Sequence, residues 1–174
     1  NRTFIKSSAL QGVFGETFIY DGVAEEWICK FSPINLGRMA LATPSPEPSR
    51  AVWRCDFSCN DIYLAVPYDT VLFGGNKGIY IYKRENDLFS RLNFPDITPN
   101  SDGHDASFSP DSIYLALAHD SSPRISIYKR NEDTFTKLGN PATLPTGDGW
   151  GCDFSPDGIY LAVAHSTSPF ITIY

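Results

Sequence analysis

Asp148-Gly149-Trp150-Gly151-Cys152-Asp153-Phe154-Ser155-Pro156-Asp157-Gly158-Ile159-Tyr160-Leu161-Ala162-Val163-Ala164-His165 restates, 46 residues on, a passage that begins Asp102-Gly103-His104. Carried through to Ile127-Tyr128 and Ile173-Tyr174, the two copies match at 17 of 27 positions. A third, looser copy runs from Trp53 to Tyr82. A residue that recurs in this way has a recurring job, and such jobs are mostly architectural. A period in the forties with strand-like content makes each copy one supersecondary unit that buries its faces against its neighbours.

Within the last copy, Trp150, Cys152 and Phe154 alternate onto one face and predict a first strand. Ser155-Pro156-Asp157-Gly158 then reads as a tight turn: proline presets φ, aspartate bonds its own backbone and glycine accepts φ > 0. Residues 159–164 are apolar on both faces, which predicts a second strand in a sheet sandwiched between others. Residues 165–169 form a loop and 170–174 a third strand. The preceding copy supplies a fourth strand at Thr134-Phe135-Thr136-Lys137-Leu138, after a polar turn at 129–133, and residues 83–92 repeat that arrangement one copy earlier. Four short antiparallel strands in about 46 residues make a propeller blade. The expected fold class is therefore all-β, a β-propeller of four-stranded antiparallel blades with three to four blades present, in an incomplete or oligomer-completed ring.

The chain divides by this reading into a degenerate blade at 1–50, blades at 51–96 and 97–142, and a blade at 143–174 lacking its fourth strand. Tyr20 to Trp27 has the seven-residue spacing of Tyr82 to Phe89 and Tyr128 to Phe135, so 16–20 and 25–31 are expected third and fourth strands. Trp27 and Trp53 are 26 residues apart against 15 in the later copies, which predicts a proline-rich insertion at 32–50. Phe31-Ser32-Pro33 imitates the turn motif and leaves a second register open. Thr3-Phe4-Ile5-Lys6 echoes the fourth-strand motif at Thr134-Phe135-Thr136-Lys137. A ring closed by the N-terminus, a homo-oligomer of part-rings and the remainder of a longer chain all stay open.

Composition excludes several functional classes. The 174 residues are 42% hydrophobic and 14% aromatic, a globular balance. The net charge is −6, and the basic residues pair only at Lys83-Arg84 and Lys129-Arg130, so no nucleic-acid partner is expected. No apolar run reaches the roughly 18 residues of a membrane helix, no membrane insertion is expected, and no signal peptide is evident. Cys55 and Cys152 occupy equivalent positions two repeats apart, which argues against a bond between them. Cys55-x-x-x-Cys59 has no second ligand pair, so no metal is expected, and Cys29, Cys55, Cys59 and Cys152 read as thiols, most of them buried. No cofactor is expected either.

Asp102-Gly103-His104, Phe108-Ser109-Pro110-Asp111 and Tyr114-Leu115-Ala116 resemble the WD-repeat pattern over about residues 51–174. The chain departs from it twice. Ile81-Tyr82, Ile127-Tyr128 and Ile173-Tyr174 stand where that family carries Trp-Asp, and its Gly-His histidine survives only as His104, with Trp53 and Trp150 in the other copies. The near-identity of successive repeats resembles WD-like proteins of bacteriophage tails and virions. That resemblance implies a structural component of a phage particle, and otherwise a cytoplasmic protein.

The candidate chemistry is sparse. His119 and His165 share one repeat position, held by Tyr68 in the earlier copy. Asp111 and Asp157 belong to the repeated turn, and Asp157 with His165 is the pair a propeller hydrolase would draw on. There is no Gly-x-Ser-x-Gly, and Gly74-Gly75-Asn76-Lys77-Gly78 lacks the Lys-Ser/Thr ending of a phosphate loop. The best functional reading is a surface: loops before the first strands and after the second would bring Trp53, His104 and Trp150 beside Tyr68, His119 and His165 on one face. The expected function is thus a non-enzymatic binding or scaffolding module with no catalytic residues, binding protein partners. The alternatives are a lectin-like propeller that binds cell-surface glycans and, behind it, a propeller hydrolase.

Overall fold

The computed structural model describes residues 19–21, 26–28, 44–49, 51–69 and 78–174. The chain forms two units, Asn1–Leu41 and Ala42–Tyr174. In the first, strands β1 (Ile19–Asp21) and β2 (Glu26–Ile28) pair antiparallel, with Tyr20 opposite Trp27. They overlap the two strands expected there, but the register differs from the later copies, where Tyr82 and Tyr128 face Arg91 and Lys137. Hairpin register follows from the turn. The later copies close on two-residue turns whose first residues, Asn86 and Glu132, adopt φ of 58° and 51°. The Thr3-Phe4-Ile5-Lys6 motif and most of the 32–50 insertion lie outside the described residues.

The second unit contains three antiparallel meanders among its described residues. The first runs through β3 (Asp56–Phe57), β4 (Tyr63–Pro67), β5 (Ile79–Glu85) and β6 (Leu88–Arg91). The second runs through β7 (Gly103–Phe108), β8 (Tyr114–His119), β9 (Ile125–Asn131) and β10 (Thr134–Lys137). The third has β11 (Gly149–Phe154), β12 (Leu161–His165) and β13 (Ile171–Ile173).

The turn between first and second strands is built the same way three times. Ser109 Oγ accepts from Tyr114 N at 2.8 Å and donates to Asp111 Oδ1, which accepts from Ile113 N at 2.9 Å. Ser155 and Asp157 repeat this with Tyr160 N and Ile159 N. Ser58 and Asn60 do so with Tyr63 N and Ile62 N. Side-chain oxygens thereby satisfy backbone donors that the sheet cannot reach. Asp61, Ser112 and Gly158 each take the left-handed conformation at the corner, with φ of 58°, 58° and 71°.

The second strands β4 and β8 are buried on both faces, but β12, whose apolar run predicted this, is buried on one: Leu161, Val163 and His165 are covered on the side of the second sheet, while Ala162 is half-buried and Ala164 exposed. One core joins Tyr63, Ala65, Ile79 and Ile81 of the first sheet to Ala106, Phe108, Leu115, Leu117, Tyr128 and Phe135 of the second. Another joins Ala116, Ala118 and Ile125, on the second sheet's opposite face, to Cys152, Leu161 and Val163 of the third. On the first sheet's other face, residues 44–49 lie alongside. Ser45 bridges to Ser90, and the Tyr82 hydroxyl donates to the Pro46 carbonyl at 3.0 Å.

Equivalent residues therefore meet different surroundings only where a neighbouring element differs. Phe108 is buried edge-on against Phe135 of β10 at 6.3 Å, while Phe154, with no described fourth strand over it, is half-buried. Ile125 is 0% exposed beneath the third sheet, but its counterpart Ile171 is 50% exposed. Ile125→Val is accordingly expected to cost about 1 kcal/mol in urea unfolding and Ile171→Val less than about 0.5 kcal/mol. Equal losses would mean that the outer face of the third sheet is covered in solution.

Candidate functional site: a tryptophan-lined cleft

The first strands β3, β7 and β11 are stitched to one another by side chains that reach the next strand's backbone. Asp56 Oδ2 accepts from Phe108 N at 2.7 Å, and Asp105 Oδ2 accepts from Cys152 N at 3.1 Å. Ser107 Oγ donates to Asp153 Oδ1 at 3.3 Å. Along this seam lies a cleft of about 340 Å³ lined by Arg54, Asp56, Asp105, Cys152 and Asp153 among others. Burial raises the pKa of Asp56, and the charges of Asp153 and Asp105 add to it, while the Phe108 N–H opposes. Asp105 is likewise raised by burial, opposed by the Cys152 N–H and Arg54. Burial also raises the Cys152 thiol, which keeps it protonated and a poor nucleophile. This seam reads as structural: its carboxylates are occupied in holding sheets together, and among the described residues no three His, Cys, Asp or Glu side chains are placed to hold a metal. The cysteines do not all follow the expectation of burial, since Cys55 is exposed, Cys59 intermediate and Cys152 buried, with Cys29 outside the described residues.

A second cleft, of about 350 Å³, opens where the first strands begin, and Trp53, Asp69, Asp102, His104 and Trp150 line it. Trp53 and Trp150 are 70% and 60% exposed, large indole faces left in water. His104 Nε2 lies 2.6 Å from Asp120 Oδ1. Arg124 pairs with Asp148 and donates to the Asp120 carbonyl, which anchors the loop that carries Asp120.

The structure divides the six residues that the sequence placed on one face. Trp53, His104 and Trp150 share this cleft. Tyr68, His119 and His165 are only 4%, 0% and 3% exposed, so they are not available to a ligand on that face. The cause is the two-residue period of a strand: His119 falls on the face of Leu115 and Leu117, and His165 on that of Leu161 and Val163, turned into the sheet interfaces. His119 Nε2 meets Ser126 Oγ and His165 Nε2 meets Thr172 Oγ1, both at 3.0 Å, and Tyr68 stacks on Tyr80 at 4.2 Å between centroids. The residues that sequence reasoning missed are the next ones along, Asp69 and Asp120, together with Asp102. For Asp69 and Asp120 the signal was the same alternation, one step past the buried Tyr68 and His119. Asp157 and His165 lie beyond opposite ends of the Leu161–Ala164 run and do not converge.

No family model matches the sequence, and no curated protein does. Solved structures do. The β-propeller domain of Cps50 (Swd1) from Myceliophteria thermophila is similar over 74% of this chain and 41% of its own, at 16% identity and a TM-score of 0.54. This is β-propeller architecture. A candidate 6-phosphogluconolactonase from Bacteroides fragilis aligns over 90% of this chain and 42% of its own, at 20% identity and a TM-score of 0.59. A chain of a mitotic checkpoint complex aligns over 71% and 36%, at 21% identity and a TM-score of 0.51. The chain thus spans about two-fifths of the length of the propellers it resembles. Its three meanders are blades, and the tryptophan cleft opens where their first strands begin.

Proposed function

We propose that this chain is a non-enzymatic binding module, a rigid stack of blades that presents the Trp53–His104–Trp150 cleft to a protein partner. The observation that carries the reading is the pair of exposed indoles on one cleft. Large aromatic surfaces left in water on a well-packed scaffold mark contact sites, because burying them on a partner returns much of the binding energy. Cys152, Leu161 and Val163 pack the third sheet, which carries Trp150, against Ala116, Ala118 and Ile125 of the second, so that wall of the cleft is held by core residues rather than by a loose loop. The near-identity of successive repeats favours a phage tail or virion component as the setting, a reading that rests on the sequence resemblance alone.

A hydrolase reading draws support from the lactonase-like neighbour, but the carboxylates along both clefts would repel a phosphorylated substrate. Glycan binding draws support from the same indoles, which can stack on sugar rings. A displayed random-peptide library and a glycan array, each probed with the wild type and a Trp53→Ala/Trp150→Ala variant, separate the readings. Peptides selected by the wild type and lost with the double variant are expected. Selection of glycans alone, or peptides retained by the variant, would overturn the proposal.

A further inference from the structure

We propose that the outer face of the third sheet receives one further blade of this same repeat, whose first strand opens on glycine. It continues a series of interfaces that the chain already forms twice. In the first sheet, Ala65, Ile79 and Ile81 are buried under Ala106, Phe108, Leu115 and Leu117 of the second. In the second sheet, Ala116 and Ala118 stand opposite Ile127 and Ile125, and this face is covered by Cys152, Leu161 and Val163 of the third. In the third sheet, Ala162 and Ala164 stand opposite Ile173 and Ile171 in the same register. There the cover stops: Ile171 and Ile173 are 50% and 62% exposed, and Ala164 is exposed beside them. The residues that twice bury a neighbouring blade are present a third time and left in water.

The same face carries the two polar features that fix a neighbour in place. The first is a stitch. Asp56, Ser107 and Asp153 stand opposite Ala65, Ala116 and Ala162 in their sheets. Asp56 Oδ2 accepts from Phe108 N at 2.7 Å, and Ser107 Oγ accepts from Phe154 N at 3.4 Å. Asp153 is exposed and holds the matching position for the corresponding N–H of a next blade. The second is a seat. Gly78, Arg124 and Phe170 take left-handed φ of 66°, 72° and 69°, and their carbonyls accept from the backbone N–H groups of Tyr68, His119 and His165. A Cβ on Gly103 would lie 2.0 Å from Gly78 O, and one on Gly149 would lie 2.3 Å from Arg124 O. Phe170 O repeats that seat, so the residue arriving there must also lack a Cβ. This excludes head-to-tail docking of a second copy of the chain. Its leading blade carries Val52 at that position, since Val52 bridges to Tyr68 as Gly103 pairs with His119. The face that blade would offer, with Val66, Tyr68 and Tyr82, is already buried.

The test lengthens the full chain after Tyr174 by a second copy of residues 129–174, which keeps the 46-residue period because Tyr128 and Tyr174 are equivalent. The appended copy carries Ile171→Leu and Ile173→Leu. With isoleucine methyls alone labelled, the original Ile171 and Ile173 then report on the face. A soluble gadolinium chelate broadens the NMR signals of methyls that water reaches. In the unextended chain, sedimenting as a monomer, both methyls are expected to broaden while Ile125 stays sharp. In the extended chain both should lose that broadening and match Ile125. Gly149→Val in the appended copy alone should restore it, whereas Gly139→Val there, at a site with nothing within 4 Å of the Cβ position, should not. Methyls that broaden equally with and without the extension would overturn the proposal. Protection that survives Gly149→Val would overturn the glycine-first occupant. An unextended dimer with both methyls sharp would make a second copy the occupant and overturn the proposal as well.

Discussion

Gly103→Ala is expected to lower unfolding stability by about 3 kcal/mol, the upper end of the range for overpacking a close-fitted site. A Cβ on Gly103 would sit 2.0 Å from the Gly78 carbonyl oxygen and 3.0 Å from its carbon. Those are backbone atoms of the preceding blade, and they are held. Gly78 O accepts from Tyr68 N at 3.0 Å, while Gly103 N donates to Tyr68 O at 3.1 Å. Neither partner can move without breaking a hydrogen bond at the base of a blade. Gly78 itself has a φ of 66°, so its own backbone is already in a conformation other residues adopt with difficulty. The repeat doubles the experiment: a Cβ on Gly149 would lie 2.3 Å from the Arg124 carbonyl oxygen and 3.1 Å from His119 N. Gly149→Ala should therefore cost a similar amount. Gly139 is the control, with nothing within 4 Å of its Cβ position, and Gly139→Ala should change stability by less than about 0.5 kcal/mol. Urea unfolding of the three variants decides it. A Gly103→Ala protein with the wild-type midpoint would mean that successive blades are not seated on one another at this point.

These glycines show what a sequence can and cannot disclose. Their recurrence was visible in Asp102-Gly103 and Asp148-Gly149, but the reason, a neighbouring blade's backbone in the place of a side chain, exists only in three dimensions. The Ser-Pro-Asp turn was legible in mechanism as well as place, because Ser109, Asp111 and Tyr114 interact locally. So was the two-faced burial of β4 and β8, which follows from apolar residues at every position of a short run; the same composition in β12 is buried on one face only, because among the described residues no sheet covers the other. The cleft was legible in part. Trp53, His104 and Trp150 were found because tryptophan at a repeat position is conspicuous. Tyr68, His119 and His165 were misplaced because a strand end looks like a loop start in sequence, and one residue decides which face a side chain takes. The 44–49 segment along β6 was beyond reach: a proline-rich stretch without period carries no sign of the strand it will bridge.

Acidification from pH 6.5 to 4 should remove about 3 kcal/mol of stability through His119 alone. Burial pushes its pKa down from 6.5 to about 4, with the charges of Lys137 and Arg124 acting in the same direction and the Ser121 backbone opposing them. The ring has no exposed surface and is held against Ser126 Oγ, so a proton arriving there would place a charge inside a sheet interface. The unfolded chain accepts that proton near pH 6.5 and the folded chain only near pH 4. Between those values the unfolded state binds more protons, so stability rises with pH through the window and is fully present above it. Asp56 and Asp105 act in the opposite sense. Their pKa values are raised by burial, so the folded state takes up their protons first and gains stability as the pH falls through their range. Subtracting the pH profile of His119→Gln from that of the wild type cancels those carboxylates and isolates the histidine. The difference should grow steadily from pH 6.5 down to 4, and parallel profiles would show that His119 is either protonated in the fold or open to water.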